Sequence, residues 1–284
     1  MIGVIAHSEK PSAASVLHEL LGELRAAEIP HALENRTASL IGESSTLDEE
    51  QLAAKSDLLV VMGGDGTILR VAQKLPGRIP PVFGINIGTL GFLTCLGSSE
   101  ITRAVESIKA KTYKISTRTL IEAALSNSSG VTETLFALND VVVSRGERSQ
   151  LVQTRVTIDG IHLTDYNADG LVVATPTGST AYSLSAGGPI LMPDSGSFVI
   201  TPICPHVLTN RSVVINDSSI VEIGVAKEGQ TVFVSADSQR WSAMTLGDTL
   251  RLQKSSRSLP LAMLPERPFS DVLRQKLKWS GTNI

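Results

Sequence analysis

The chain changes texture about a third of the way along. In the first part, apolar runs alternate with segments of helical spacing. IGVIA (residues 2–6) reads as a buried strand, and residues 13–27 carry Val16, Leu17, Leu20 and Leu24 on one helical stripe. A short helix over 48–55 follows, then the strand DLLVVM (57–62), a glycine loop, a helix over 67–75, the strand PVFGINIG (81–88) and a helix over 100–110. Continuous apolar strands alternating with helices predict a parallel sheet covered on both faces.

From Tyr113 to about Pro265 nearly every segment reads as a strand instead, as in TLIEAAL, TLFALNDVVVS, TRVTIDG, LVVAT, SFVIT, SVVIN and QTVFVSA, with Gly, Asn, Asp and Ser at the turns. PFSDVLRQKLKW (268–279) returns to helical spacing behind a proline. The pattern therefore predicts an α/β domain over 1–110, a β-rich domain over 111–266, and a C-terminal helix over 267–284 that packs back on the first domain.

One stretch, 171–193, carries no charge at all. Pro176, Gly178, Gly187, Gly188 and several hydroxyl residues interrupt it, which a membrane-spanning helix of about 20 apolar residues would not carry in such density. No membrane association is expected. The N-terminal apolar run ends at His7, Glu9 and Lys10, too soon for the core of a signal peptide. Across 284 residues the composition is 42% apolar and 19% charged with a formal net charge of −3, so no basic face is expected for nucleic acid. The two cysteines, Cys95 and Cys204, are too few and too far apart for a disulfide framework and are read as reduced core thiols of a cytoplasmic protein.

The candidate chemistry starts at VVMGGDGTILRVA (60–72). A strand that ends in Gly63, Gly64, Asp65, Gly66 and Thr67 and runs straight into a helix presents backbone N–H groups and a positive helix end to an anion. Phosphate suits such a loop, yet neither common phosphate fingerprint fits, because Ile68 and Leu69 stand where a P-loop or a dinucleotide fold needs Lys-Ser/Thr or glycine. Asp65 is the unusual member. It either accepts a proton or holds a metal through water, or it caps the following helix while the glycines merely permit a turn. The loop alone leaves both open.

ADGLVVATPTGSTAYSLSAGGP (168–189) places Asp169 before a strand, a Pro-Gly turn after it, and then small residues from Ser179 to Ala181. That surface suits close approach of a sugar or a planar ring. For Ser179 and Ser183 singly, a tight structural contact is favoured, and Tyr182 reads equally as a core ring or as a ring lying on a base. Leu138, Asn139 and Asp140 put an amide and a carboxylate at the head of a strand, a setting that alone is most often a plain turn. Asp65, Asp140, Asp169 and Asp237 each lie beside turn-prone residues. The five histidines show no metal-ligand spacing, so no metal site of protein ligands is assigned. PICPHVLTNRSVV reads as a rigid loop whose Arg211 is solvated or meets a phosphate.

Taken together, GGDGT, the Asn139-Asp140 pair and DGLVVATPTGSTAYSLSAGGP, in this order, resemble the NAD kinases. NIGTLGFL (86–93), PICPHVLTNR and the turn at Asp237, Ser238 and Gln239 match as well, so the resemblance covers most of the chain. GGDGT by itself is shared with diacylglycerol and sphingosine kinases, whereas the long glycine-serine-threonine motif is specific.

The resemblance implies an α/β domain and a β-rich domain with NAD bound between them, and phosphoryl transfer from ATP to the 2′-hydroxyl of the adenosine ribose. It implies Asp65 as the base, with Gly63, Gly64, Gly66 and Thr67 forming the phosphate loop. Asn139 and Asp140 would take a ribose or base edge and Asp169 the nicotinamide side. Thr180, Ala181, Tyr182, Ser183 and Ser185 would meet the adenine and its ribose, and Arg70, Phe92, Asn167 and Gln239 would complete the NAD contacts. Mg²⁺ or another divalent cation would enter with ATP.

A homodimer or homotetramer is expected from the resemblance and from the many strand edges that need cover. Two departures stand out: Ser238 replaces the usual middle glycine of its turn, and Gln150 and Asn167 stand where a basic residue is common. A lipid kinase would carry an Asn-Glu pair within a few residues of GGDGT, where Ile68, Leu69 and Arg70 stand, and would lack TPTGSTAY. A non-catalytic NAD(P) sensor would gain from losing the charge of Asp65.

Overall fold

The computed structural model describes residues 1–75, 77–88, 91–127, 130, 132–146, 150–207 and 209–279, except for the side chain of Arg240. Thr89 and Leu90 of NIGTLGFL and Leu208 of PICPHVLTNR lie outside the described residues. The chain forms two compact units, Met1–Thr117 together with Ser258 onward, and Arg118–Arg257.

Unit 1 begins with β1 (Ile2–Ala6), α1 (Ala13–Ala26), β2 (His31–Leu33), α2 (Asn35–Ser39), α3 (Glu49–Lys55), β3 (Leu58–Gly63), α4 (Asp65–Lys74), β4 (Val82–Asn86), β5 (Leu96–Gly97) and α5 (Ile101–Ala110). Its strands run parallel, with β1 between β2 and β3 and with β4 between β3 and β5. Every residue of β1, β3 and β4 is buried, which is why these segments read as unbroken apolar runs rather than alternating ones. Asp48 closes a capping box with Gln51 in front of α3, so the predicted helix over 48–55 begins one residue later. The core joins the α1 stripe, Leu17, Leu20 and Leu24, to Phe83, Ile85 and the inner face of α5.

Unit 2 contains most of β6 (Lys114–Ser126), then β7 (Thr132–Ala137), β8 (Asp140–Arg145), β9 (Val152–Ile158), β10 (Ile161–Ala168), β11 (Gly170–Ala174), the short α6 (Tyr182–Ser185), β12 (Ser197–Ile203), β13 (Val213–Asn216), β14 (Val221–Val225), β15 (Val232–Ala236), β16 (Gln239–Met244) and most of β17 (Thr249–Met263). One sheet has the order β13-β12-β11-β8-β15-β16 and is antiparallel throughout. In the other run β10-β9-β14-β17, β9 pairs with β10 and with β14, and β14 pairs with the first residues of β17, all antiparallel. The two inner faces meet in a core that includes Val143, Val173, Phe198, Ile223 and Leu250. The segment TLFALNDVVVS, which the pattern reads as one strand, breaks at Leu138 and Asn139 into β7 and β8.

The last residues of β17 return to unit 1, where Leu261 and Ala262 lie parallel to Val82 and Phe83 of β4. The chain closes with α7 (Phe269–Leu277), whose Phe269 ring lies 6.2 Å from that of Phe92 within the same unit. The fold class is thus an α/β unit with a parallel sheet, a β-rich unit, and a C-terminal helix that belongs to the first. Among the described residues no helix is long and apolar enough to cross a membrane. Cys95 is a core thiol that burial pushes up to about 12. Cys204 corrects the sequence reading: it is exposed, in a left-handed conformation (φ 45°) just past the end of β12, where the chain leaves the sheet.

Candidate active site

Within unit 1, the strand β3 delivers Gly63 and Gly64 to the start of α4. Gly64, not Asp65, is the N-cap residue, and no side chain caps this helix. The capping alternative for Asp65 is therefore excluded. Its carboxylate turns instead to another loop: the N–H of Phe92 donates to Oδ2 at 2.8 Å and the N–H of Leu93 to Oδ1 at 3.0 Å. A side chain on Gly91 would place its Cβ 1.9 Å from Oδ1, so the carboxylate occupies the space that glycine leaves. The loop is pinned from below. Asn86 Oδ1 accepts the N–H of Gly88 at 2.6 Å, Asn86 Nδ2 donates to Thr94 Oγ1 at 3.2 Å, and the same Oγ1 accepts the N–H of Gly91 at 3.0 Å.

The glycines of the loop divide into two kinds. A Cβ on Gly63 would fall 2.2 Å from Thr67 Oγ1, so that glycine is demanded by packing. Among the described residues, Gly64 and Gly66 have no atom beyond their own local backbone within 4 Å of such a Cβ, and neither has a positive φ. Neither internal packing nor backbone conformation requires them to be bare. Beside them Thr67 is buried, and its hydroxyl has no hydrogen-bond partner among the described residues. Arg70, one turn further on, gives its guanidinium to Glu49 of α3 in an ion pair.

Within unit 2, the turn before β8 meets the TPTG segment. Thr175 Oγ1 donates to the carbonyl of Leu138 at 2.5 Å and the N–H of Thr175 to the carbonyl of Asn139 at 2.9 Å. Gly178 allows the closest approach, since a Cβ there would sit 2.0 Å from the carbonyl oxygen of Asn139. Asn139, Asp140 and the 175–180 segment are therefore brought together, and Asp237 joins them by accepting the N–H groups of Leu138, Asn139 and Asp140 at 2.9, 2.7 and 3.2 Å. Gln239 follows at the start of β16. Asp140 is buried, and desolvation with the neighbouring Asp237 charge pushes its carboxyl up to about 7.

Beyond the TPTG turn the hydroxyls have different employment. Thr180 Oγ1 donates to the carbonyl of Thr177 at 3.1 Å, and Ser183 lies buried with its hydroxyl 2.9 Å from that of Thr201. Ser179 Oγ accepts the N–H of Leu191 at 2.9 Å and donates to the carbonyl of Pro176 at 2.7 Å. For Ser179 and Ser183 the structural contact favoured from the sequence is what the fold uses. Ala181 opens α6, Ser185 is exposed near its end, and Tyr182 is 45% exposed, which excludes the core-ring alternative for that residue.

Asp169 meets Arg145, whose Nε lies 2.8 Å from Oδ1. Asn167 lies on β10 opposite Gln153. A half-open groove of about 980 Å³ beside this pair is lined by Ser144, Arg145, Gln150, Gln230, Phe233 and Ser238, among others. Sequence reasoning missed Arg145 and Phe233, because their value depends on β8 and β15 being neighbours. Arg211 is exposed. Among the described residues no three His, Cys, Asp or Glu side chains converge on one point.

Ser238 takes a left-handed φ of 67° directly after Asp237 at 47°, the two-residue turn that joins β15 to β16. Such a turn wants glycine where the chain allows it. Ser238→Gly is therefore expected to raise stability by about 0.5 kcal/mol, the net of roughly 1 kcal/mol of relieved left-handed strain against the extra freedom of glycine in the unfolded chain. An unchanged or lower midpoint in urea would mean that the serine side chain makes a contact worth the strain.

Residues 2–113 match the ATP-NAD kinase N-terminal domain and residues 138–264 the ATP-NAD kinase C-terminal domain. The chain is 36% identical over 279 residues to an NAD kinase of Syntrophotalea carbinolica, covering 98% of each protein. It is 39% identical over 277 residues to that of Chlorobium luteolum, covering 98% of this chain and 96% of the relative. Among solved structures it resembles yeast NADH kinase complexed with NADH, with a TM-score of 0.90 and 26% identity over all of this chain and 88% of the other. It also resembles an NAD kinase from Archaeoglobus fulgidus in complex with ATP, with a TM-score of 0.75 and 25% identity over 99% of this chain and 100% of the other. With both domains matched, the relatives aligned nearly end to end and the glycine loop in place, the chain belongs to the ATP-NAD kinase family.

Proposed function

We propose that the chain transfers the terminal phosphoryl group of ATP to the 2′-hydroxyl of the adenosine ribose of NAD, with Asp65 as the proton acceptor. The bond from the ribose oxygen to phosphorus forms as the bond from phosphorus to the bridging oxygen of ADP breaks, and the hydroxyl proton passes to the Asp65 carboxylate. The observation that carries this reading is the open space at Gly64 and Gly66. Two glycines that no described neighbour requires stand at a helix N-terminus beside a buried hydroxyl without a partner among the described residues, a setting suited to phosphate oxygens. Each Asp65 oxygen accepts one N–H and keeps a second lone pair for a hydroxyl or a metal-bound water.

In unit 2, Asn139 and Asp140 are the groups for a ribose or base edge, with the exposed ring of Tyr182 as the stacking surface and Ala181 as the small residue that admits it. The fixed hydroxyls of Thr180 and Ser183 shape that surface from behind. Asp169, oriented by Arg145, and the adjoining groove suit the nicotinamide end, with Asn167 and Gln239 as polar contacts. Phe92 acts through its backbone, by holding Asp65, and Arg70 by anchoring α4 to α3. A divalent cation, Mg²⁺ or another, enters with the ATP phosphates and supplies charge neutralisation there. The same reading has the protein working in the cytoplasm as a homodimer or homotetramer.

Incubation of the purified protein with NAD, ATP and Mg²⁺ should give NADP and ADP, resolved by chromatography, from a species whose mass by light scattering is a multiple of the chain mass. Phosphorylation of a lipid in place of NAD, or no product, would sink the reaction; a monomeric mass would sink the assembly.

A further inference from the structure

The two N–H groups that hold Asp65 belong to consecutive residues, Phe92 and Leu93, of a segment that is neither helix nor strand. Such a segment keeps its place only through the contacts made on it. One set comes from the sheet. Asn86 and Thr94 pin the segment, and the N–H of Cys95 donates to the carbonyl of Gly84 on β4 at 3.1 Å.

A second set comes from the C-terminal segment of the same unit. Arg267 Nη1 donates to the carbonyl of Cys95 at 3.3 Å and Nη2 to Glu100 Oε1 at 2.6 Å, while Glu100 Oε2 accepts the N–H of Gly97 at 3.3 Å. The ring of Phe269, the first residue of α7, lies 6.2 Å from that of Phe92 at an angle of 47°, inside the range where aromatic pairs attract. The base of this segment is itself anchored. Leu264 is buried in the unit 1 core and its carbonyl accepts the N–H of Arg267 at 3.1 Å, and α7 buries Val272 and Leu273.

We propose that Phe269 and Arg267 are positioning residues for phosphoryl transfer: they hold residues 92–95 and, through the N–H groups of Phe92 and Leu93, keep the Asp65 carboxylate aimed at the ribose hydroxyl. The inference rests on Asp65 being the proton acceptor. Fixing the N–H pair fixes both carboxylate oxygens, and a reacting group misplaced by about 1 Å loses up to about 10²-fold in rate. The C-terminal helix thus serves the reaction without touching a substrate.

Kinetics and hydrogen exchange on the full chain test this. Phe269→Ala should lower kcat about tenfold with KM for NAD and for ATP within about twofold of wild type, and Phe269→Tyr, which keeps the ring, should retain wild-type kcat. Leu24→Ala, a core truncation on α1 of the same unit, is the control: it lowers the melting temperature and leaves kcat unchanged well below the melt. Amide exchange read by NMR should run about tenfold faster at Phe92 and Leu93 in Phe269→Ala, with Val4 of β1 as protected as in wild type. Should Phe269→Ala fail to fold, Arg267→Ala carries the same expectations. Unchanged kcat, an equal loss in Leu24→Ala, a raised KM at constant kcat, or unchanged exchange at Phe92 and Leu93 would each overturn the proposal. Faster exchange at those two amides in a protein that makes no NADP supports the brace on Asp65 and makes the proposed function the part that fails.

Discussion

Asp65→Asn is expected to lower kcat by at least roughly a hundredfold, because a positioned carboxylate that takes a proton from a weakly nucleophilic hydroxyl contributes about 10²- to 10⁴-fold. The structure adds a second effect that a helix cap would not have produced. Both oxygens of Asp65 accept N–H groups, from Phe92 and Leu93, and the asparagine NH₂ can face only one of those positions as a donor against a donor. That mismatch costs about 1–3 kcal/mol, so thermal stability falls together with turnover.

The two effects separate against Thr94→Val, which removes the hydroxyl that links Asn86 to Gly91 and loosens the same loop with the carboxylate intact. Steady-state kinetics at saturating NAD and ATP, beside thermal melts, give the comparison. If Thr94→Val loses as much kcat as Asp65→Asn at equal loss of stability, Asp65 acts as a tether and the base lies elsewhere.

The second large effect is expected at Gly178. A methyl group there would sit 2.0 Å from the carbonyl oxygen of Asn139, 2.4 Å from its carbon and 2.7 Å from its Cα, all of them backbone atoms. A flexible side chain could move away, but these atoms are fixed by the N–H of Thr175 on the Asn139 carbonyl and by Asp237 on its N–H. Relief therefore has to come from displacing the turn itself. Gly178→Ala is expected to destabilise unit 2 by at least about 3 kcal/mol, at the upper end of what overpacking costs, and to weaken NAD binding by more than tenfold. Denaturant midpoints and calorimetry would show it. A variant with native stability and affinity would mean that the close approach of these two segments is dispensable.

What could be read from the sequence was whatever is local. The unbroken apolar runs of β1, β3 and β4 announced strands buried on both faces, because that signal lies within a few residues of its consequence. The glycine loop and the TPTGSTAY stretch were legible for the same reason. The partners of the carboxylates were not. Asp65 finds its donors 27 and 28 residues away, and Arg145 reaches Asp169 only because β8 and β11 are neighbours in the sheet. Nothing local distinguishes a serine that meets a ligand from one that meets Thr201, so Ser183 needed the fold to reveal its partner. Cys204 was misread because the absence of a disulfide framework says nothing about burial, and the residue lies exposed just past the end of β12.

The three hydrogen bonds to Asp237 also set an order of events during folding. Leu138 is synthesised 99 residues before the aspartate that accepts its N–H, and closing a loop of that length costs entropy before the contact is made. Until the hairpin of β15 and β16 docks against β8, three amides of the turn lack their acceptor. β8 and β11 can pair as soon as they have left the ribosome, but the turn between β7 and β8 reaches its final shape only after β15 and β16 have emerged. In a nascent chain, the final shape of this turn therefore arrives late, as a property of the completed sheet.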